Sequence, residues 1–316
     1  MGFEDIDYDP TLGYTKEQLL AIEAPPGPED FEAFWRGSYA QVMACRPDYR
    51  IEKELWSPNP GVKIIQARFK NFDGVEIGMW LARPDQSAGG LLIGQGYGHP
   101  VLPPTTTSPG LTVAMPCIRG LGISTCREIP WEIPKHAIHG MESPETFVIR
   151  GAVADLWMGA SVMLDMFPDV AENLNYQGGS LGGAMGMLML PWDARFRAGE
   201  INVPTLGGKI QLDCQPKSGG GGEARWNYAL NNPGGMRSIL YCDAAAAARF
   251  IRIPLLITPA LSDHSNPPPA QFAIANAVPE AHRILRIREV GHRPPTEQDK
   301  LLEQELNGIR KQLFRM

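Results

Sequence analysis

The run Gly178-Gly179-Ser180-Leu181-Gly182-Gly183 places a serine inside a G-x-S-x-G pattern, and few short patterns constrain a fold as hard. In that pattern the serine occupies a sharp turn from a strand into a helix. Its flanking positions are glycine because side chains there would strike the neighbouring strand and helix. The surroundings agree with such a turn. Asn173-Leu-Asn-Tyr-Gln177 upstream reads as a short, unusually polar strand. Downstream, Ala184-Met-Gly-Met-Leu-Met-Leu190 is apolar without a breaker until Pro191, as a buried helix requires. Met185, Met187 and Met189 read as core packing, not as ligands.

A serine hydroxyl is a weak nucleophile alone, so the turn carries chemistry only if a base and an acid accompany it. Asp263 lies in Thr258-Pro-Ala-Leu-Ser-Asp-His-Ser-Asn-Pro-Pro-Pro269, after an apolar run and before a proline-initiated helix. His292 lies in Glu289-Val-Gly-His-Arg-Pro-Pro295, in a loop stiffened by prolines. The order Ser, Asp, His is that of an α/β-hydrolase triad. In acyl transfer Ser180 would attack a carbonyl, His292 would carry the proton, and Asp263 would orient the imidazole. The tetrahedral intermediate needs two oriented N–H donors. The residue after the nucleophile, Leu181, supplies one backbone amide. The loop following Leu91-Leu-Ile-Gly-Gln-Gly-Tyr-Gly-His99 supplies the second, assigned to Tyr97.

The other histidines carry bland readings. His264 is expected to point away from the hydrogen-bonding side of Asp263, and His282 to lie on the surface. His136 and His139 have i, i+3 spacing but no third ligand nearby, so no metal site is expected. His99 stands near the expected mouth of the site and is a candidate substrate contact.

The remaining pattern fits a mostly parallel, eight-stranded-type sheet with helices on both faces. Residues 1–60 read as an N-terminal extension whose helix carries Phe31, Phe34, Trp35 and Tyr39 toward the main domain. Residues 61–316 form that domain. Strands are expected at 62–69 and 75–83 around an Asp73-Gly74 hairpin, then at 90–94, 111–118, 201–203, 254–261 and 283–290. Helices are expected at 149–167 and, closing the chain, at 295–313. Ser180, Asp263 and His292 each follow a strand end, where open parallel sheets form their sites. Residues 205–248, with the glycine run at 219–222 and the turn cluster Asn231-Asn-Pro-Gly-Gly235, read as an insertion able to lie over the site.

With 316 residues and 43% hydrophobic content the chain can bury a large core. A net charge of −6 without Lys/Arg blocks speaks against nucleic acid or an anionic membrane as partner. The acidic start lacks an apolar core, and no run approaches the ~20 apolar residues of a span, so neither a secretory signal nor a membrane helix is expected. Five scattered cysteines without a C-x-x-C fit reduced thiols in a cytoplasmic protein.

These pieces resemble the acetyl xylan esterase and cephalosporin-C deacetylase family of α/β-hydrolases, carbohydrate esterase family seven. The resemblance runs through Phe31-Glu-Ala-Phe-Trp35, Asp73-Gly-Val-Glu-Ile77, Gly96-Tyr-Gly98 and Arg119-Gly-Leu-Gly122. It continues through Arg150-Gly-Ala-Val-Ala-Asp155, the serine turn, Tyr241-Cys-Asp-Ala244 and the two final loops. It implies a triad of Ser180, Asp263 and His292, with oxyanion amides at Tyr97 and Leu181. It also implies deacetylation of small acetylated molecules without a cofactor, and ring-like homo-oligomers. The chain departs from the family pattern at Leu121 and Leu181, where glutamine is usual, and at Arg293, where glutamate is usual. Two other readings stay open at this point: the same triad acting on a lactone, thioester or amide, and a non-catalytic protein that binds a small molecule or partner.

Overall fold

The strands of the chain line up in one twisted sheet whose centre is made of short apolar runs too narrow in sequence to leave any face wet. The structure, a computed structural model, describes residues 8–97, 103, 110–214 and 220–316. After helices α1 (Lys16–Leu20) and α2 (Phe31–Met43) come strands β1 (Asp48–Leu55), β2 (Val62–Lys70), β3 (Glu76–Pro84), β4 (Gly89–Gly94) and β5 (Leu111–Pro116). Helices α3 (Ile133–His136) and α4 (Val148–Met166) lead to β6 (Leu174–Gly179), α5 (Leu181–Met189) and β7 (Phe196–Asn202). Then follow α6 (Gly208–Cys214), α7 (Gly221–Asn231), α8 (Pro233–Tyr241) and α9 (Ala244–Ala248). The last part holds β8 (Leu255–Thr258), β9 (Ala260–Asp263), α10 (Pro268–Ala277), β10 (Arg283–Leu285), β11 (Arg288–Gly291) and α11 (Glu297–Leu313).

Nine strands form the main sheet in the order β1-β2-β3-β5-β4-β6-β7-β8-β10, one more than the eight expected. The extra strand is β1, inside the stretch read as a helical extension. Its sequence, Asp-Tyr-Arg-Ile-Glu-Lys-Glu-Leu, is almost wholly exposed and pairs antiparallel with β2 at the sheet edge. Charge on an edge strand discourages pairing with other chains, and it also erases the apolar alternation that reveals strands in sequence. β1, β2, β3 and β5 pair antiparallel, and β5, β4, β6, β7, β8 and β10 run parallel. The Asp73-Gly74 turn joins β2 to β3 as expected, with Gly74 at φ +80°. β4 is flanked by β5 on one side and β6 on the other, so the connections leave it in opposite directions. Crevices open at such a switch point, beyond the carboxyl ends of the strands.

Two runs expected as single strands are each split. Residues 254–261 divide into β8 and β9, and 283–290 into β10 and β11. The first halves stay in the main sheet. The second halves leave it and pair with each other in a separate two-stranded parallel sheet. Proline at 259, which lacks an N–H for the ladder, stands at the first break.

The sheet is covered on both faces. The larger apolar cluster includes Trp35, Trp157, Met158, Met185, Met187 and Ile257, with the methionines after Ser180 buried as expected. Trp35 of the aromatic stripe is fully buried, donates from Nε1 to the Tyr241 carbonyl at 2.8 Å, and meets Trp157 edge-on. The other face is closed by α11 through Leu306, Leu313 and Phe314 on Leu91, Val113 and Leu256. The described residues of 205–248 form four helices: α9 packs on α5 and α10, and α7 on α3 and α8. Among the described residues no helix is long and apolar enough to cross a membrane.

Candidate active site

Ser180 stands between β6 and α5 with φ +54° and ψ −120°, a conformation an L-residue holds only when its surroundings enforce it. The enforcement comes from close backbone packing. A Cβ on Gly182 would stand 2.1 Å from the Gly94 carbonyl oxygen, and one on Gly178 would stand 2.5 Å from the Gly182 oxygen. No side chain fits at either place. Ser180 N–H donates to the Asn202 carbonyl at 2.9 Å, and its own carbonyl accepts from Ala184 and Thr205. The hydroxyl is therefore presented at the end of β6, level with the end of β4, since Gly94 and Gly178 are register partners.

The loop after β4 passes close by. A Cβ on Gly96 would lie 3.4 Å from Ser180 Cβ and 4.0 Å from its Oγ, so the loop that carries the following residue, Tyr97, runs beside Ser180. The Leu181 amide opens α5 and is one of the donors that a helix N-terminus leaves without an intrahelical partner. The Tyr97 phenol points away from this turn and bonds His136 Nδ1 at 2.7 Å, while His136 Nε2 meets the Arg119 carbonyl at 2.8 Å. A carbonyl can only accept, so Nε2 carries the proton and Nδ1 accepts from the phenol. Burial keeps the pair neutral: it pushes the phenol up to about 12 and the imidazole below its usual range.

Arg119 in turn grips Asp155 through Nε and Nη2, both at 2.8 Å, and Asp73 through Nη1 at 2.7 Å. Three of the sequence stretches that carried the family resemblance thus meet in one buried ion cluster. It anchors the Tyr97 side chain through His136. The histidine singled out for its spacing with His139 has both ring nitrogens committed to this task.

The candidate acid and base come from the small sheet. In the β9–β11 register Asp263 stands opposite Gly291, which brings the next residue, His292, over the carboxylate. His292 Nδ1 lies 2.8 Å from Asp263 Oδ2 and 3.1 Å from Oδ1. That contact fixes the proton on Nδ1 and leaves Nε2 with a lone pair, the state a general base needs. His292 sits at φ +51°, a second enforced backbone conformation in the site. Asp263 is buried and fully bonded. Ser265 and Asn266 amides donate to Oδ1 at 2.8 and 3.1 Å, and Gln271 Nε2 donates to Oδ2 at 2.8 Å. Its own N–H donates to the Pro10 carbonyl at 3.0 Å. β11 is pinned from below by Asp299, which accepts from Glu289 N–H at 2.9 Å and also closes the N-terminal capping box of α11.

Ser180 Oγ is hydrogen bonded, among the described residues, to Asn266 Nδ2 at 3.4 Å; the imidazole is bonded to Asp263 and not to the hydroxyl. Asn266 also donates to the Val203 carbonyl at 2.9 Å. The expected chain of three groups is present in its acid–base half. The serine–imidazole link is one that free enzymes often hold long and tighten on substrate.

The His264 ring lies edge-on to His292 with centroids 6.3 Å apart, and its carbonyl accepts from the Tyr8 hydroxyl. His282 is partly exposed. His99 lies outside the described residues, as does Gly219 of the glycine run. Gln271, Asn266, Pro10 and Asp299 were not singled out from sequence. The only trace they leave there is that Asn266 and Gln271 bracket the prolines after Asp263.

The sequence profile of the acetyl xylan esterase (AXE1) family matches residues 22–208, more than half of the chain. The chain belongs to the acetyl xylan esterase family. It is a carboxylic ester hydrolase with the α/β-hydrolase fold. Among solved structures it is similar to acetyl xylan esterase 1 from Thermoanaerobacterium sp. JW/SL YS485, at 19% identity and TM-score 0.77 over 94% of this chain and 99% of that one. An acetyl xylan esterase from Paenibacillus sp. R4 matches at 19% identity and TM-score 0.77 over 93% and 99% of the two chains. The Pyrococcus horikoshii acylaminoacyl peptidase matches at 13% identity and TM-score 0.56, over 86% of this chain and 42% of its own. The likeness to these structures is one of fold. Membership of an esterase family leaves the non-catalytic reading without support.

Proposed function

We propose that the chain is a serine esterase that removes a short acyl group, acetyl first among them, from a small ester through an acyl-enzyme on Ser180. The observation that carries this reading is the enforced conformation of Ser180 at the switch point of the sheet. Asn266, whose amide contacts Ser180 Oγ, also donates its backbone N–H to the buried carboxylate of Asp263, to which His292 Nδ1 is committed.

Ser180 Oγ adds to the ester carbonyl while its proton passes to His292 Nε2. The oxyanion that forms is met by the Tyr97 and Leu181 amides, each such donor typically worth about 10²–10³ in turnover. As the carbonyl reforms, the C–O bond to the alcohol breaks and His292 returns the proton to that alcohol. Water, giving a proton to the same imidazole, then adds to the acyl carbon; the acyl C–O bond to Ser180 breaks, His292 returns that proton to Ser180 Oγ, and the carboxylic acid leaves. Asp263 keeps the proton of His292 on Nδ1 throughout and stabilises the imidazolium between the two transfers. Tyr97 acts through its backbone, which explains why its phenol is free to be spent on His136. Leu181 also acts through its backbone, so the loss of the usual glutamine there leaves the donor intact. The four-helix insertion borders Tyr97, where a Cβ on Gly221 would lie 3.4 Å from the ring, and we read it as a wall that limits the site to small esters.

The test is hydrolysis of short-chain p-nitrophenyl esters together with labelling by a fluorophosphonate probe. Ser180→Ala is expected to lower turnover by about 10⁴-fold or more and to abolish labelling. His292→Ala should do the same, whereas His264→Ala should leave both within a few-fold of wild type. Equal rates for wild type and Ser180→Ala would remove Ser180 from the mechanism.

A further inference from the structure

Inside the insertion, α6, α7 and α8 enclose a small cavity lined by eight residues, among them Gln211, Leu212, Gly222, Arg225, Ile239 and Cys242, with room for about one water-sized occupant. All but one of the eight are apolar, small or already bonded; Gln211 spends its amide on Thr205 and on the Gly207 N–H. The exception is a cation. Arg225 is 5% exposed, and its Nη1 is buried without a hydrogen-bond partner among the described residues.

A buried guanidinium without a counter-charge is costly, by several kcal/mol in general, unless something supplies one. The two groups nearest in charge to Arg225 are the Tyr97 phenol and the Cys242 thiol. Neither can serve. Burial pushes the phenol up to about 12 and drives the thiol further still above its usual range, so both are neutral at physiological pH. Burial correspondingly pulls Arg225 below its usual range. The cavity has a second anion-favouring element. Gly222 belongs to the first turn of α7, an 11-residue helix whose N-cap, Gly220, offers no side chain to its free amides. Such amides, together with the helix dipole, favour negative charge.

We propose that this cavity is a binding site for one small monovalent anion, a halide ion, held between the Arg225 guanidinium and the first turn of α7. The site is separate from the triad and does not depend on the esterase reading. Its occupant neutralises Arg225 and thereby fixes α7 against the Tyr97 ring, next to the amide that faces the oxyanion. Occupancy stabilises the folded chain by mass action.

Thermal unfolding of the full chain, titrated with sodium chloride against methanesulfonate at constant ionic strength, tests this. Wild type should gain roughly 2–4 °C with saturation. Arg225→Met should gain none, and Arg225→Lys, which keeps the charge, should recover part of the response. A parallel titration with sodium formate, whose three heavy atoms exceed the cavity, should give the smaller response; a response to formate alone, with none to chloride, would overturn the halide assignment. Identical responses of wild type and Arg225→Met to both salts would overturn the proposal. Should Arg225→Met fail to fold, anomalous diffraction from bromide-soaked wild-type crystals decides instead. A bromide peak against the guanidinium supports the site, and its absence there rejects it.

Discussion

The two halves of the candidate active site are held by opposite means. Around Ser180 the chain relies on missing side chains: Gly178, Gly182 and Gly94 let backbone press on backbone, and the turn is rigid because nothing can move. Around Asp263 and His292 it relies on polar side chains: Gln271, Asn266 and Asp299 hold two loops in place by hydrogen bonds that reach across the fold. The first half is a packing problem and fails all at once. The second is a network and should fail by degrees.

Substitutions can break or sharpen that contrast. The largest effect is expected from Gly182→Ala, because its Cβ would meet the Gly94 carbonyl at 2.1 Å and neither backbone can give way. Loss of more than about 3 kcal/mol of stability, with no measurable esterase activity, is the outcome that chemical denaturation and ester assays should report. Gly291→Ala comes next and should behave differently. Its Cβ would stand 2.2 Å from Asp263 Oδ2, a side-chain tip that can be displaced. Turnover should fall by about 10²–10⁴-fold as the imidazole loses its orientation, while Tm changes by only a few degrees. If Gly291→Ala unfolds as readily as Gly182→Ala, the two halves are not held differently.

Gln271→Leu removes one of the donors to Asp263 and leaves the others. A charge-assisted bond of this kind is worth about 1.5–3 kcal/mol, so kcat/KM should drop by roughly 10–100-fold, with the alkaline side of the pH–rate profile unchanged in shape. The smallest effect lies in the insertion, at Asp243. This aspartate caps α9 through Ala245 N–H at 2.8 Å, and burial pushes its carboxyl up to about 7, well above the usual carboxylate range. The folded chain thus binds the proton more tightly than the unfolded chain. Stability from this group is full below about pH 4 and is lost as pH rises toward 7. Asp243→Asn removes the buried charge but turns one acceptor toward the Ala246 N–H into a donor. A net gain of roughly 2–4 °C in Tm at pH 8, vanishing at pH 5, is expected in calorimetry.

The same contrast explains what could be read from sequence. The serine turn was legible because a backbone conformation that only glycine neighbours permit leaves glycines in a row. Asp263 and His292 were legible because strand ends are marked by the apolar runs before them. Their supports were not, since a glutamine on a helix and an asparagine in a loop carry no periodicity, and their meaning arises only when distant segments meet. The sheet edge was missed for a related reason: a charged strand such as β1 has no buried face to announce it. Gly220–Gly222, read as part of a flexible glycine run, cap and open α7, and the expected turn cluster 231–235 falls at the end of α7 and the start of α8. There the glycines serve close approach, as at Gly234, where a Cβ would lie 2.1 Å from the Glu142 carbonyl oxygen.

The N-terminal strap has a consequence for how the chain matures. The acid loop is tied to Pro10 through Asp263 N–H and to Tyr8 through the His264 carbonyl, contacts that span up to 256 positions of sequence. A ribosome delivers those partners many seconds apart, at about 5–20 residues each second. The first segment must wait, undocked, until residues 263 and 264 have emerged. Catalytic competence would then switch on as a late event of synthesis, after the sheet around Ser180 has already formed.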